Sequence, residues 1–283
     1  MSKHNVSSTA LGTLYMRAVH QLLDVRPLIL DDHVALKLVG KNTVQHINKN
    51  QEYHRTIEDH VMRTHVVLRS RFSEDRLAKA IERGITQYII LGAGFDTFAF
   101  RQPPFAHKLK IFEVDQPATQ VQKRTLLADA GITIPSNLHF ADIDLERESL
   151  SEGLIRHGVS LTEPSFFSLL GVTVYLQEEA IDHVIQTIAS FPVNSEIVFT
   201  FTHPPDLLSE RESKFHSSLS KIVADAGEPF VSYFTPTTIE GKLHSAGFKK
   251  IMFLSEEETK KRYFSQYAQD HHISTRSIVY AIL

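Results

Sequence analysis

A Gly-x-Gly turn between two apolar runs is the feature that most constrains the fold of this chain. Residues 88–91 form the first run, Gly92 and Gly94 follow directly, and residues 109–112 form the second run. Apolar and β-branched residues bounded by glycines are typical of buried strands. Because Gly92 and Gly94 lack a Cβ, the backbone can turn sharply there and approach a ligand closely. The pattern predicts an α/β unit with a ligand at the turn.

A carboxylate stands where the second run ends. Asp115 lies 21 residues after Gly94, and in nucleotide-binding α/β units a carboxylate placed there accepts hydrogen bonds from ribose hydroxyls. Dinucleotide-binding proteins also place a small residue at the third position of the glycine fingerprint, where this chain has Thr97. The pattern therefore favours a mononucleoside cofactor such as S-adenosylmethionine. NAD, and an ordinary turn without a ligand, stay open as alternatives.

The composition allows one large α/β domain and excludes several kinds of site. The chain has 283 residues, of which 42% are hydrophobic. Its 30 basic and 33 acidic side chains contain no basic block, so nucleic acid is not an expected partner. The absence of cysteine excludes disulfides and thiolate chemistry. No signal peptide or membrane-spanning run stands out, so we expect a cytoplasmic protein with no membrane partner.

Two motifs resemble those of the leucine carboxyl methyltransferase-like family. They are ILGAGFDT at 90–97, followed by an arginine at 101, and FEVDQP at 112–117. Stretches similar to the family extend over nearly the whole chain, including VVLRSRF at 66–72 and the segment 227–248. The resemblance implies a bacterial branch of S-adenosylmethionine-dependent O-methyltransferases. The acceptor would be a small molecule with a carboxylate or a hydroxyl group.

The implied fold is the class I methyltransferase (Rossmann-like) fold. It is an α/β fold with a seven-stranded, mostly parallel sheet, helices on both faces and a final antiparallel hairpin. We expect an N-terminal helical cap at 1–84, which belongs to the same domain as a cofactor-binding core at 85–283. A lid inserted at 204–230 would cover the acceptor.

The resemblance also implies cofactor contacts beyond Gly92, Gly94 and Asp115. Arg69 would bind the carboxylate of the cofactor's methionine part, although Arg71 is a nearby competitor and an exposed helix arginine is the alternative. In the loop after the third strand, we assign Asp142 to the adenine amine and the backbone N–H of Ile143 to a ring nitrogen. A turn that caps the next helix is the alternative there.

Tyr175 and His203 are the candidate catalytic residues. Tyr175 belongs to a segment that resembles the family's Glu-Gly-x-x-x-Tyr-Leu motif, but Leu170 replaces the glutamate. In family members the glutamate is implicated in cofactor binding, so a non-catalytic binder stays open. His203 follows the fifth predicted strand and could act as a general base. A hydroxyl acceptor needs such a base, whereas a carboxylate acceptor is already ionised. Structural roles are the alternative for both residues.

Other polar residues are expected to have no role in the site. Arg17 lies in an N-terminal stretch that by resemblance packs over the cofactor, but a solvated helix charge is favoured over a role there. Ser73 is expected as the cap of a second helix at 74–83, and residues 1–9 as disordered or a mobile cap. No metal site is expected, because the histidine spacings lack a ligand pattern. The following histidines are expected at the surface: His46, His54, His60, His65, His271 and His272.

Overall fold

A seven-stranded sheet forms the centre of the computed structural model, which describes residues 6–265 and 276–283. The strand order is β3-β2-β1-β4-β5-β7-β6. The strands are β1 Gln87–Leu91, β2 Lys110–Asp115, β3 Leu138–Asp142, β4 Ser165–Leu169, β5 Glu196–Thr202, β6 Lys250–Phe253 and β7 Arg276–Ile282. Strands β1 to β5 pair in parallel, and β7 pairs antiparallel with β5 and β6. The predicted mostly parallel sheet with a final antiparallel hairpin is confirmed.

Helices cover both faces of this sheet. They are α1 Ser8–Leu23, α2 His33–Lys49, α3 Ile57–Glu82, α4 Phe98–Arg101, α5 Pro117–Asp129, α6 Leu150–Arg156, α7 Glu178–Ala189, α8 Glu210–Asp225, α9 Pro236–Ala246 and α10 Glu256–Thr259. Ile89 and Leu91 pack with Ile188 of α7 on one face, while Ile90 packs with Phe72 of α3 on the other. Burial on both faces explains why the strand reads as a continuous apolar run. Each fully buried side chain of this kind contributes about 1.5–3 kcal/mol.

Helix α3 corrects one sequence prediction. We expected two helices, with Ser73 capping the second, but one helix runs from Ile57 to Glu82. Ser73 lies in its interior and is buried. Neither glycine nor proline interrupts this stretch, so nothing in the backbone chemistry stops the helix.

The N-terminal helices pack over the turn that follows β1. Leu14 of α1 and Leu38 of α2 share an apolar cluster with Phe95 of the turn and Leu127 of α5. This cluster joins the cap to the core. Within 6–265 and 276–283, no helix is long and apolar enough to cross a membrane.

Candidate active site

A cavity of about 420 Å³ opens at the carboxyl edge of the parallel strands. It lies where the strand order reverses, between β1 and β4. Helices α1, α3 and α8, the loop after β4 and the first residue of β7 contribute further lining. Ligands of open α/β sheets bind at this switch point, so the topology marks the cavity as the candidate site.

The glycine turn forms part of the cavity wall. Gly92 has φ of +64° and Gly94 has φ of +50°, a region that strains other residues. A Cβ on Gly92 would lie 2.3 Å from Val172 Cγ2, and a Cβ on Gly94 would lie 3.1 Å from Ala10 Cβ. Both positions therefore need glycine for conformation and for space, as the sequence predicted.

Asp115 lines the same wall and is fixed by backbone donors. Its Oδ2 accepts a 2.6 Å hydrogen bond from the Gly94 N–H, and its Oδ1 accepts one of 2.7 Å from the Gln116 N–H. Burial raises the pKa of the Asp115 carboxyl, and these two backbone bonds partly offset the shift. Each carboxylate oxygen has a second lone pair. The carboxylate can therefore still accept a hydrogen bond from a ribose hydroxyl.

Arg69, and not Arg71, reaches the cavity. The Arg69 guanidinium lies against Gly171, where a Cβ would come within 2.2 Å of its Nη1. Burial, together with the charges of Arg276 and Arg17, lowers the pKa of Arg69 to about 9, so it is charged at neutral pH. Arg71 does not line the cavity and instead binds Asp75 at 2.8 Å. In the described part of the chain, Arg69 has no carboxylate partner.

The loop after β3 departs from the sequence assignment. The Asp142 side chain is 56% exposed and does not line the cavity. The Ile143 N–H is already used, because it donates to the Asp115 carbonyl at 3.2 Å. The Ile143 side chain does line the cavity, as do Asp144 and Leu145. After β3, the cavity lining thus includes Ile143 and Asp144 but not Asp142.

Only one of the two candidate catalytic residues lines the cavity. Tyr175 lines the cavity, and its ring lies 5.5 Å from that of Phe230. Burial raises the pKa of Tyr175, so its phenol stays protonated at neutral pH. His203 does not line the cavity. Its Nε2 forms a 2.8 Å hydrogen bond with Ser277 Oγ, so nothing in the cavity geometry supports a catalytic role for it.

Arg17 is not the solvated charge that we expected. Its guanidinium is buried and contacts the Oδ2 atoms of Asp32 and Asp96 at 3.2 Å each, Thr97 Oγ1 at 3.0 Å and Ser70 Oγ at 2.6 Å. This network ties the cap helices to the glycine turn. The three-residue spacing from the apolar Leu14 could have indicated an inward position.

The histidine expectations hold only in part. His46 is exposed, but His54 and His65 are buried. His54 Nε2 forms a 3.0 Å hydrogen bond with the hydroxyl of Tyr15. His271 and His272 lie outside the described residues. Among 6–265 and 276–283, no group of acidic and histidine side chains could hold a metal ion.

The N-terminus of α1 is bound by the segment that follows α8. The Glu228 carboxylate accepts hydrogen bonds from Ser8 N at 2.6 Å, Ser7 Oγ at 3.0 Å and Thr9 N at 3.2 Å. We call these four residues the clasp. Residues 7–9 are therefore held in place, contrary to the mobile cap that we expected. A carboxylate is favourable here, because the helix N-terminus carries partial positive charge.

Comparisons with known proteins identify the family of this chain. Residues 10–189 match the leucine carboxyl methyltransferase family. YktD of Bacillus subtilis, assigned as an S-adenosyl-L-methionine-dependent methyltransferase, is 34% identical over 94% of this chain and 93% of its own length. A Mycobacterium marinum relative with the same assignment is 26% identical over 78% of this chain and 74% of its own.

Solved structures support the fold alone. A DUF574 family protein from Streptomyces avermitilis superposes with a TM-score of 0.61 at 13% identity, covering 96% of each chain. A Thermobifida fusca protein assigned as a methyltransferase gives 0.58 at 14% identity, covering 99% of this chain and 96% of its own. The glycine turn, Asp115 and Arg69 also fit the ribose and the carboxylate of the cofactor. This chain therefore belongs to the leucine carboxyl methyltransferase family, and it is an S-adenosylmethionine-dependent methyltransferase with a class I fold.

Proposed function

We propose that the protein methylates a carboxylate oxygen of a small molecule. The observation that carries this proposal is the set of titratable groups that line the cavity, in which the carboxylates of Asp115, Asp144 and Glu146 belong to the walls at the ends of β2 and β3. No histidine lines the cavity within the described residues, and Tyr175 has a raised pKa. Arg17 and other nearby cations hold the pKa of Asp96 below its usual value despite burial. A hydroxyl acceptor would need a base, whereas a carboxylate acceptor needs none.

The cofactor's ribose and methionine groups would be held by the residues around the glycine turn. Asp115 accepts from the ribose hydroxyls, and Arg69 binds the methionine carboxylate through charge-assisted hydrogen bonds. Gly92 and Gly94 let the backbone approach the cofactor. Leu170 lines the cavity where the resembling proteins have glutamate, so Arg69 has no neighbouring carboxylate from that position.

At the adenine end, we assign the roles to the residues that line the cavity. The Ile143 side chain packs on the adenine ring. Asp144 accepts from the exocyclic amine in place of Asp142, and the N–H of Leu145, which has no partner within 6–265 and 276–283, donates to a ring nitrogen in place of that of Ile143.

The chemistry then depends on alignment. The cofactor's sulfonium supplies an activated methyl group, and sulfur keeps the bonding electron pair when that group leaves. The protein holds the acceptor oxygen in line with the methyl carbon and excludes water, a proximity effect that can be large. Tyr175 donates a hydrogen bond that orients the acceptor, and α8 covers the cavity through Leu219 and Val223.

The first test is calorimetric titration with S-adenosylhomocysteine. Asp115→Ala should weaken binding by about 1.5–3 kcal/mol, the cost of lost charged hydrogen bonds, which is about 10- to 150-fold. Asp142→Ala is the matched control and should change affinity by less than about twofold, because its carboxylate lies outside the cavity. Equal affinities for wild type and Asp115→Ala would refute the site assignment.

The second test concerns the acceptor atom. Carboxylic acids and alcohols with matched carbon skeletons are incubated with S-adenosylmethionine carrying a labelled methyl group. A methyl ester releases labelled methanol in mild alkali, whereas a methyl ether does not. Label transfer that is stable to alkali, and found only with the alcohols, would overturn the carboxylate proposal.

A further inference from the structure

A second guanidinium, that of Arg276, lines the cavity. Arg276 is the first residue of β7 and pairs with Thr202, the last residue of β5. Because β7 runs antiparallel to β5, its first residue lies at the carboxyl edge of the sheet, beside the candidate site. Arg276 is partly buried, and it lines the cavity.

The contacts of Arg276 leave its charge without a carboxylate. Its Nη1 lies 3.1 Å from Met62 Sδ, a weak acceptor, and its Cζ lies 5.8 Å from the centre of the Phe230 ring. No carboxylate comes within ion-pair distance of it in 6–265 and 276–283. Enclosed charges in proteins are normally paired. An unpaired guanidinium that lines a cavity therefore indicates an anionic ligand.

The surroundings of Arg276 make this part of the cavity positive. After burial, the charge of Arg276 is the next cause that lowers the pKa of Arg69 and of His65, and it partly offsets the rise in pKa that burial causes at Tyr175. The cofactor does not cancel this charge. It brings one carboxylate, which Arg69 would bind, together with an ammonium and a sulfonium group. Among the described residues, the carboxylates that line the cavity, at positions 96, 115, 144 and 146, form no ion pair with Arg276, so an anionic acceptor could supply its counter-charge.

The neighbouring walls are apolar. Met62 and Val66 of α3, Leu219 and Val223 of α8, and Phe230 line the cavity. Such walls favour a ligand with an apolar body, while the few polar groups fix its orientation.

We propose that Arg276 binds an anionic group of the methyl acceptor, and that the acceptor is a carboxylic acid with an apolar body. This inference rests on the proposed function, because it concerns the acceptor of the same site.

A stability measurement tests the unpaired charge without any acceptor. Arg276→Met should raise the Tm of the ligand-free protein in a buffer without carboxylates, because it removes a charge that has no partner. Arg63→Met is the matched control. It should lower Tm, because Arg63 is paired with Asp24 at 2.6 Å and with Asp59 at 2.8 Å. A fall in Tm for Arg276→Met would show a structural role and overturn the inference.

A binding measurement tests the ligand class. Octanoate and octanamide are titrated into the complex with S-adenosylhomocysteine. The wild type should bind octanoate more tightly than the neutral amide. Arg276→Gln should weaken octanoate binding by about tenfold or more, leave octanamide unchanged, and change S-adenosylhomocysteine affinity by less than about threefold. Arg276→Lys should recover part of the octanoate affinity. The exposed Arg211→Gln on α8 serves as the control and should behave as wild type.

The outcomes separate the two proposals. Failure of the wild type to bind S-adenosylhomocysteine would overturn the proposed function itself. Normal S-adenosylhomocysteine binding, with octanoate either not bound or bound equally by Arg276→Gln, would overturn only the role of Arg276.

Discussion

Two groups of enclosed arginines differ in what surrounds them. Arg17 and Arg101 lie between the cap and the core, Arg63 lies between cap helices, and each contacts at least one carboxylate. Arg17 also lines the cavity, but its charge is paired within the chain. Arg69 and Arg276 line the cavity, and neither has a carboxylate partner in 6–265 and 276–283. The same side chain therefore serves two purposes. Where described residues supply the counter-charge, arginine joins helices, and where they do not, we propose that a ligand supplies it.

The largest expected effect comes from breaking a joint between the cap helices. Asp24 accepts hydrogen bonds from Arg63 at 2.6 Å and from His20 Nδ1 at 2.6 Å. Asp24→Asn should lower the free energy of unfolding by about 3–5 kcal/mol at pH 7, because it leaves the buried Arg63 with a weaker partner. Denaturant titration measures this. Asp225→Asn, in the exposed pair with Lys221, should cost no more than about 1 kcal/mol.

The hydrogen bonds of Asp24 predict that the stability of the fold depends on pH. Burial alone would raise the pKa of Asp24, but hydrogen bonds from His20, His60 and Arg63 outweigh it and hold the pKa well below its usual value. A carboxylate with a depressed folded-state pKa stabilises the fold above its unfolded pKa of about 3.9 and loses that contribution as the pH falls. The difference between wild type and Asp24→Asn should shrink below about pH 4. A difference that grows on acidification would contradict this account.

The next-largest effect is expected for Arg69, one of the two arginines that line the cavity without a carboxylate partner among the described residues. Arg69→Met should weaken S-adenosylhomocysteine binding by about 1.5–3 kcal/mol, because the methionine carboxylate loses its partner. It should leave the free energy of unfolding unchanged or raise it. Arg71→Met is the control, because Arg71 is half exposed and bound to Asp75, and its affinity should match that of wild type. A large decrease in the free energy of unfolding of Arg69→Met would mean that Arg69 has a structural role, like Arg17, Arg63 and Arg101.

The smallest effect concerns the clasp. Glu228→Gln removes the charge at the N-terminus of α1 and keeps the shape, so it should cost about 1 kcal/mol of local stability. Amide hydrogen exchange should speed up in the first turn of α1 and stay unchanged in α7. Unchanged exchange in both helices would mean that the charge of Glu228 does not hold α1.

The parts of the fold that could be predicted depend on local pattern. Apolar runs marked the strands, and the turn glycines with Asp115 marked one wall of the site, because strand burial and positive φ leave direct traces in composition. The long helix α3 was divided wrongly, since Ser73 looks like a cap and only its burial in the fold shows otherwise. Arg17 was misread because its partners come from distant parts of the chain.

The site residues that the sequence did not reveal depend on tertiary arrangement. Arg276 reaches the cavity only because β7 inserts antiparallel beside β5, and no local pattern specifies that neighbour. The Ile143 N–H donates to the Asp115 carbonyl. This hydrogen bond depends on the pairing of β2 with β3, which the local sequence does not show. His203 follows a strand that ends near the cavity, but its ring hydrogen-bonds to Ser277.

The clasp has a practical consequence for anyone who handles this protein. Ser7, Ser8 and Thr9 line the cavity as well as holding Glu228, so an affinity tag fused at Met1 would be separated from the cavity lining by only six residues of chain. A tagged preparation could differ from an untagged one in how readily ligands enter, although both are fully folded. Turnover should therefore be compared before and after the tag is cleaved, and the cleaved protein should serve as the reference for every variant.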